Sequence, residues 1–272
     1  MKPSVLVVGD LILDVDILCQ PRGNAEGAAL CLTGEEFVYH PGGAANVAVE
    51  ASLTEGPGAV ALKGIVGPDQ ESDMLLRCLP KFGVEVLACV QADFFMPLKL
   101  RAYADGKIAA RIDRELRHPS QCPTVVPCAD TQARCVTFVD YAKGMFSEYQ
   151  MDEVRMAIAR PGIQTVVNPH PSNPVDWSGA TVAVLNAAEH EQMGFVGARW
   201  TLVTRGSQGG TLYYGEQWAA GFAVEPVADP QVVGAGDCVT AHLAVGLAQG
   251  QSIPAAARAA LTAASDYVKG AR

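Results

Sequence analysis

Val5-Leu6-Val7-Val8, followed at once by Gly9-Asp10, is a short unbroken apolar run with polar groups at its carboxyl end, and it limits the fold more than any other feature. A strand that is apolar at every position must be covered on both faces, the condition of a buried parallel sheet. Similar runs recur at Val60-Ala61-Leu62, Cys135-Val136-Thr137-Phe138-Val139, Thr165-Val166-Val167, Val182-Ala183-Val184-Leu185 and Thr201-Leu202-Val203-Thr204. Helix-compatible segments separate most of them: Ala44 to Leu53 behind Gly42-Gly43, Met151 to Ala159, and Asp237 to Ala248 closed by Gly250. A further helix opens at Ser252 with Pro254 in its first turn. The βαβ rhythm predicts an α/β fold: a mainly parallel sheet flanked by helices.

Two segments break the rhythm. Residues 15–41 and 94–113 read as antiparallel strands of a small β lid, and in the second the Asp105-Gly106 pair is a hairpin signal between Pro97–Tyr103 and Lys107–Asp113. With no linker or internal repeat, residues 1–272 read as one domain.

Acidic residues number 29 against 20 basic ones, a formal charge of −9, which repels nucleic acid and anionic lipid. An anionic ligand must then be held by a local cluster of donors. The first apolar run is too short and too soon interrupted by acid for a signal peptide or membrane span, so the expected location is cytoplasmic. Eight cysteines occur without a C-x-x-C pair and read as reduced thiols rather than a zinc or disulfide framework.

The sharpest chemical feature is Gly234-Ala235-Gly236-Asp237 opening directly into an apolar helix. The amides from Gly234 to Asp237 are expected to face an anion at the helix N-terminus. Asp237 there is either a general base removing a hydroxyl proton while the amides stabilise a transferred phosphoryl group, or an acid placed for the helix dipole alone. Gly42-Gly43 lead into a second helix with Asn46 in its first turn, suited to sugar hydroxyls or to a plain capped turn. Asp14, just past the first strand, lies where open α/β sheets bind ligands. Neither G-x-x-x-x-G-K-[ST] nor a G-x-G-x-x-G after the first strand is present. Among His40, His118, His170, His190 and His242 there is no H-E-x-x-H or cluster, which argues against a catalytic zinc.

In this order, Gly9-Asp10 with Asp14, Gly42-Gly43 with Asn46, the lid hairpin, Asp140-Tyr141-Ala142-Lys143-Gly144, Asn186-Ala187-Ala188-Glu189, Thr204-Arg205-Gly206 and Gly234-Ala235-Gly236-Asp237 resemble the ribokinase (PfkB-type) carbohydrate kinase family over nearly the whole chain. Within it the chain is most similar to the kinase domain of heptose 7-phosphate kinase/adenylyltransferase enzymes, on Pro41–Ala48, Arg111-Ile112-Asp113-Arg114-Glu115, Asp140–Gly144 and Gly179-Ala180-Thr181 ahead of Asn186. The resemblance implies a ribokinase-like fold and phosphoryl transfer from ATP to a sugar or sugar phosphate, with Asp237 as base and Gly234, Ala235 and Gly236 as anion hole. It implies that Asp14, Gly42, Gly43 and Asn46 hold the sugar and that Asn186 and Glu189 organise Mg²⁺ and phosphate through water. Thr204, Arg205 and Gly206 would lie beside the nucleotide phosphates. Lys99, Arg101 and Arg111 are candidates for a substrate phosphate or are solvated strand-edge charges; Lys143 reaches phosphate or pairs with Asp140, itself a substrate-side candidate.

The chain also departs from the family. Asp229-Pro230-Gln231-Val232-Val233 replaces the usual Asp-Thr-x before the glycine turn, and Asn168-Pro169-His170 stands where the heptose kinases have Asp-Pro-Lys. The stretch from Glu189 to Thr201 is shorter by about a helix, the family's C-terminal tail does not follow Arg272, and no adenylyltransferase half is included, so a trimmed nucleotide side is expected. The favoured substrate is a heptose 7-phosphate at its anomeric oxygen. The alternatives are another monosaccharide, a nucleoside, or a catalytically inactive binding protein. Apolar lid residues Val15, Ile17, Leu98 and Leu100 suit a homodimer contact or packing within one chain.

Overall fold

Every residue of β1 (Val5–Gly9) is buried, and alternation along the strand sends its side chains into two cores. Val5 and Val7 join one cluster, and Leu6 and Val8 join another with Phe138, Phe146 and Trp177. These three rings lie 5.3 to 6.1 Å apart, and Phe146 packs edge-on against both others. A strand covered on both faces has no position for a polar side chain, which is why the run in sequence is unbroken.

The computed structural model describes residues 3–22, 31–115, 126–129, 131–227 and 232–270. After β1 come β2 (Leu11–Arg22), β3 (Cys31–Gly43), α1 (Ala44–Glu55), β4 (Val60–Lys63), β5 (Ile65–Val66), α2 (Gln70–Cys78), β6 (Val84–Val86) and β7 (Cys89–Val90). Then follow β8 (Leu98–Ala104), β9 (Lys107–Arg114), β10 (Cys135–Val139), α3 (Met151–Ala159), β11 (Gln164–Asn168), β12 (Val182–Asn186) and α4 (Ala187–Met193). The chain closes with β13 (Trp200–Thr204), β14 (Gly210–Tyr214), β15 (Gln217–Phe222), α5 (Ala235–Ala248) and α6 (Ile253–Val268). Parts of the sequence reading lie outside the described residues: 23–30 of the first lid segment, His118, Cys122 and Asp229-Pro230-Gln231.

Among the described residues the main sheet has the order β15-β14-β13-β12-β11-β10-β1-β4-β6, parallel from β13 to β6 with an antiparallel β14–β15 edge. From β1 the path goes to β4 on one side and to β10 on the other, opening a crevice at the carboxyl ends of the strands. α5, apolar nearly all round, fills the core on the α1 and α6 side.

The second sheet has the order β3-β2-β8-β9. Its outer pairs are antiparallel as expected, and Asp105 and Gly106 take positive φ at 52° and 73° in the β8–β9 turn. The central pair differs: β2 and β8 run parallel. Both leave the carboxyl side of the main sheet, β2 directly out of β1 with Asp10 alone between them, β8 after β7, so they point the same way. No disulfide joins Cys19, Cys78, Cys89, Cys128, Cys135 or Cys238. No helix among the described residues is long and apolar enough to cross a membrane.

Candidate active site

Asp10, Asp140, Asn168, Asn186 and Thr204 stand at or just past the carboxyl ends of five neighbouring strands. The N-terminus of α5 lies over this edge. Gly234, its N-cap, has φ 82°, and a Cβ there would come within 2.5 Å of Tyr267 Oη and 3.1 Å of Asn46 Nδ2, so both backbone shape and space require glycine. The expectation of four outward-facing amides needs one correction. The Ala235 N–H donates to the Val232 carbonyl at 3.2 Å, because the chain enters the helix through a tight turn.

Asp237, in the first turn of α5, is buried at 6% exposure. Its Oδ2 accepts a hydrogen bond from Asn46 Nδ2 and its Oδ1 one from Tyr141 Oη, both 2.8 Å. Burial pushes this carboxyl up to about 6, against the two hydrogen bonds and Lys99, while the Asp14 charge adds to the rise. The acid is therefore fixed in orientation and poised near neutrality. Each carboxylate oxygen has a second lone pair, which leaves room for a hydroxyl to approach.

Sequence reasoning missed Tyr141, although it singled out Asp140 and Lys143 on either side. Burial and the adjoining Asp237 hold the Tyr141 phenol well above its ordinary range, so it is a proton donor at neutral pH. Its loop is built by two buried acids. Asp10 accepts from the amides of Tyr141, Lys143 and Met145 at 2.8 to 3.1 Å. Asp140 accepts from the Ala142 amide and Asn173 Nδ2. Burial raises both carboxyls, Asp140 to about 7 with the Asp10 charge contributing. Lys143 pairs with Glu115 rather than Asp140.

On the second sheet Asp14 and Lys99 are register partners across β2 and β8. Lys99 Nζ lies 4.6 Å from the centre of the Tyr141 ring. Burial lowers its pKa against the opposing pull of Asp14 and Asp237. Gly42 abuts Asp14: an added Cβ would be 2.6 Å from Oδ2. Gly43 is the N-cap of α1, with Asn46 in the helix's first turn. Arg101 is buried and pairs with Asp14 at 3.3 Å and Asp16 at 3.6 Å, and half-exposed Arg111 binds Asp113 through two nitrogens. The structure thus brings Asp14, Gly42, Asn46, Lys99 and Tyr141 round Asp237, and gives both arginines carboxylate partners of their own.

On the other side of α5 a cavity of about 180 Å³ is lined by Thr204, Gly206, Ala235, Gly236, Val239 and Leu261 among others. A Cβ on Gly236 would meet nothing within 4 Å, so the helix entrance is open there. Arg205 is exposed and does not line the cavity. Asn186 and Glu189 form a capping box at the start of α4: Asn186 Oδ1 accepts from the Glu189 amide and Glu189 Oε2 from the Asn186 amide.

The chain is similar to known sugar kinases in sequence and in fold. Residues 174–269, which include Asn186, Glu189, Thr204 and Asp237, match the pfkB family carbohydrate kinase model. The bifunctional protein HldE of Shewanella sediminis is 32% identical over 98% of this chain, and the chain spans 60% of that relative's length. The ribokinase of Thermotoga maritima superposes with a TM-score of 0.72 at 16% identity, covering 98% of this chain and 93% of the other. The ribokinase of Cryptococcus neoformans var. grubii serotype A, solved in complex with ADP, gives 0.65 at 17% identity, covering 99% and 94%. The architecture is ribokinase-like throughout, and the pfkB family carbohydrate kinase match over residues 174–269 falls on later strand ends and on the helix that build the site.

Proposed function

We propose that residues 1–272 act as one kinase domain, with the second sheet as its lid, transferring the γ-phosphoryl group of ATP to a hydroxyl of a monosaccharide or sugar phosphate. The favoured acceptor is a heptose 7-phosphate at its anomeric oxygen. The observation that carries the reading is Asp237, held by Asn46 and Tyr141 between the lid and the cavity behind α5. On the lid side, Asp14 and Asn46 accept and donate to sugar hydroxyls, and Lys99, which unlike Arg101 and Arg111 has no ion pair with another of the described residues, is the cation best placed for a substrate phosphate.

Asp237 takes the proton of the attacking hydroxyl, and the remaining first-turn amides of α5 face the transferred phosphoryl charge. The glycine-lined, apolar-walled cavity fits a nucleotide: Thr204, Gly206 and Gly236 admit phosphates while Val239 and Leu261 offer an apolar wall to the base. The hard oxygen donors Asn186 and Glu189 suit Mg²⁺ held through water, Glu189 Oε1 lying outside the capping box. When bound, the cation supplies neutralisation of phosphate charge. Val15, Ile17, Leu98 and Leu100 pack into this chain's own core rather than offering a dimer contact, so the homodimer proposed through the lid would use the exposed Leu18, Phe37, Ile108 and Ile112 instead.

The test is incubation with Mg-ATP and a panel of heptose 7-phosphate, fructose, ribose, inositol and nucleosides, with product detected by mass and Asp237→Asn as control. Turnover of a sugar phosphate that collapses in the variant supports the reading. Absence of product together with absence of ATP-induced thermal stabilisation refutes it in favour of a non-catalytic binder.

A further inference from the structure

We propose that Glu50, Cys238 and His242 form a binding site for a zinc-class divalent transition ion in the seam between α1 and α5. Cys238 and His242 are four residues apart on α5 and so share a face, while Glu50 comes from α1 packed alongside. One donor atom of each residue lies within 4.8 Å of the other two. A tetrahedral ion with bonds of about 2.0 to 2.3 Å spaces its donors roughly 3.3 to 3.8 Å apart, so side-chain adjustments of about 1 Å close the trio.

A thiolate, an imidazole and a carboxylate form the borderline-soft set that selects zinc over magnesium, which takes oxygen donors. Glu50 and Cys238 are buried and His242 is partly exposed, which provides a path from solvent and an open fourth position for water. Thr54 Oγ1 donates to the Glu50 carbonyl at 3.0 Å and lies 3.4 Å from His242 Nε2. In the metal-bound state one ring nitrogen of His242 would supply the lone pair the ion needs while the other keeps a hydrogen-bond partner. Binding displaces the Cys238 thiol proton to solvent. The spacing along the chain hides the site, since its ligands come from positions 50, 238 and 242. It adjoins the reaction centre: Cys238 follows Asp237, and Glu50 is one turn along α1 from Asn46. An ion here ties together the two helices that the Asn46–Asp237 hydrogen bond joins.

Chelator-stripped protein is titrated with Zn²⁺ by calorimetry and with Co²⁺ by absorption spectroscopy. The expected result is a single saturable site, a thiolate-to-cobalt charge-transfer band and a zinc-induced rise in melting temperature, all unaffected by millimolar Mg²⁺. Cys238→Ser abolishes the band, and Cys238→Ser, Glu50→Gln and His242→Gln each weaken zinc binding by at least about tenfold. Cys78→Ser changes nothing. The metal-free melting temperature of each variant separates lost binding from lost folding, and partly exposed His242 provides the variant least disruptive to the core. No saturable zinc binding by the wild type, a cobalt spectrum without the thiolate band, or full zinc affinity in a folded Cys238→Ser or His242→Gln would overturn the proposal. None of these outcomes depends on kinase turnover.

Discussion

Tyr141 Oη donates to Asp237 Oδ1 at 2.8 Å across 96 positions of the chain, so the phenol orients the carboxylate and lowers its proton affinity. Burial acts more strongly in the other direction, and the balance leaves the acid at about 6. A general base must be deprotonated to work. The kcat/KM of the wild type is therefore expected to be level above about pH 6 and to fall about tenfold per pH unit below it, as a pH–rate profile would show. Asp237→Asn is expected to lower kcat by a factor on the order of 10² to 10⁴ with its fold intact by circular dichroism.

Tyr141→Phe removes a hydrogen bond that favours the charged form. The acid limb of kcat/KM is expected to move upward by about one pH unit, since a hydrogen bond to a charged group is worth about 1.5 to 3 kcal/mol and one unit is about 1.4 kcal/mol. A merely structural tyrosine would lower the rate at every pH and leave the limb where it was.

Two glycines in one turn predict opposite outcomes. Gly234→Ala places a Cβ against Tyr267 and Asn46 at positive φ, and a left-handed alanine alone costs about 1 to 2 kcal/mol, so both melting temperature and turnover should fall. Gly236→Ala meets nothing within 4 Å and adds a better helix former, so the melting temperature should hold or rise. Its new methyl lies on the cavity side, and the KM for ATP should increase by about fivefold or more.

The buried acids beneath the Tyr141 loop set the pH dependence of stability. A folded-state pKa of about 7 for Asp140, against an ordinary 3.8, means the native state binds the extra proton, and the associated stability declines as pH rises through 7. Urea unfolding should give a higher midpoint at about pH 5.5 than at about pH 8, and Asp140→Asn should shrink that difference. Asp10, raised in the same direction, keeps it from vanishing.

Strands β1, β10, β12 and β13 were legible because burial on both faces leaves an unbroken apolar signature, and α1, α3, α5 and α6 because glycine, serine and proline mark their ends. The glycine turn and Asp237 were legible as a unit for the same local reason. Helix α2 was not read: its start depends on Asp69 accepting from the Ser72 amide, a single cap ahead of a helix with only Ser72 and Leu75 buried. The β14–β15 edge hairpin carries alternating, half-exposed aromatics, a weaker pattern than the central strands. The parallel β2–β8 pairing and the reach of Tyr141 to Asp237 depend on where the chain returns in space, and no local pattern encodes that. Asn186 and Glu189 were singled out through the family resemblance alone, and their three-residue spacing lets each cap the other.

The helix that carries Asp237 forms late in the sequence, while its two hydrogen-bond donors arrive from positions 46 and 141. A fragment holding only residues 174–269 would contain the acid and neither donor. These contacts are long-range, and closing such loops is slow relative to forming a helix. During refolding, helical signal should return before competence for phosphoryl transfer, so a turnover assay would report on these long-range contacts rather than on helix content.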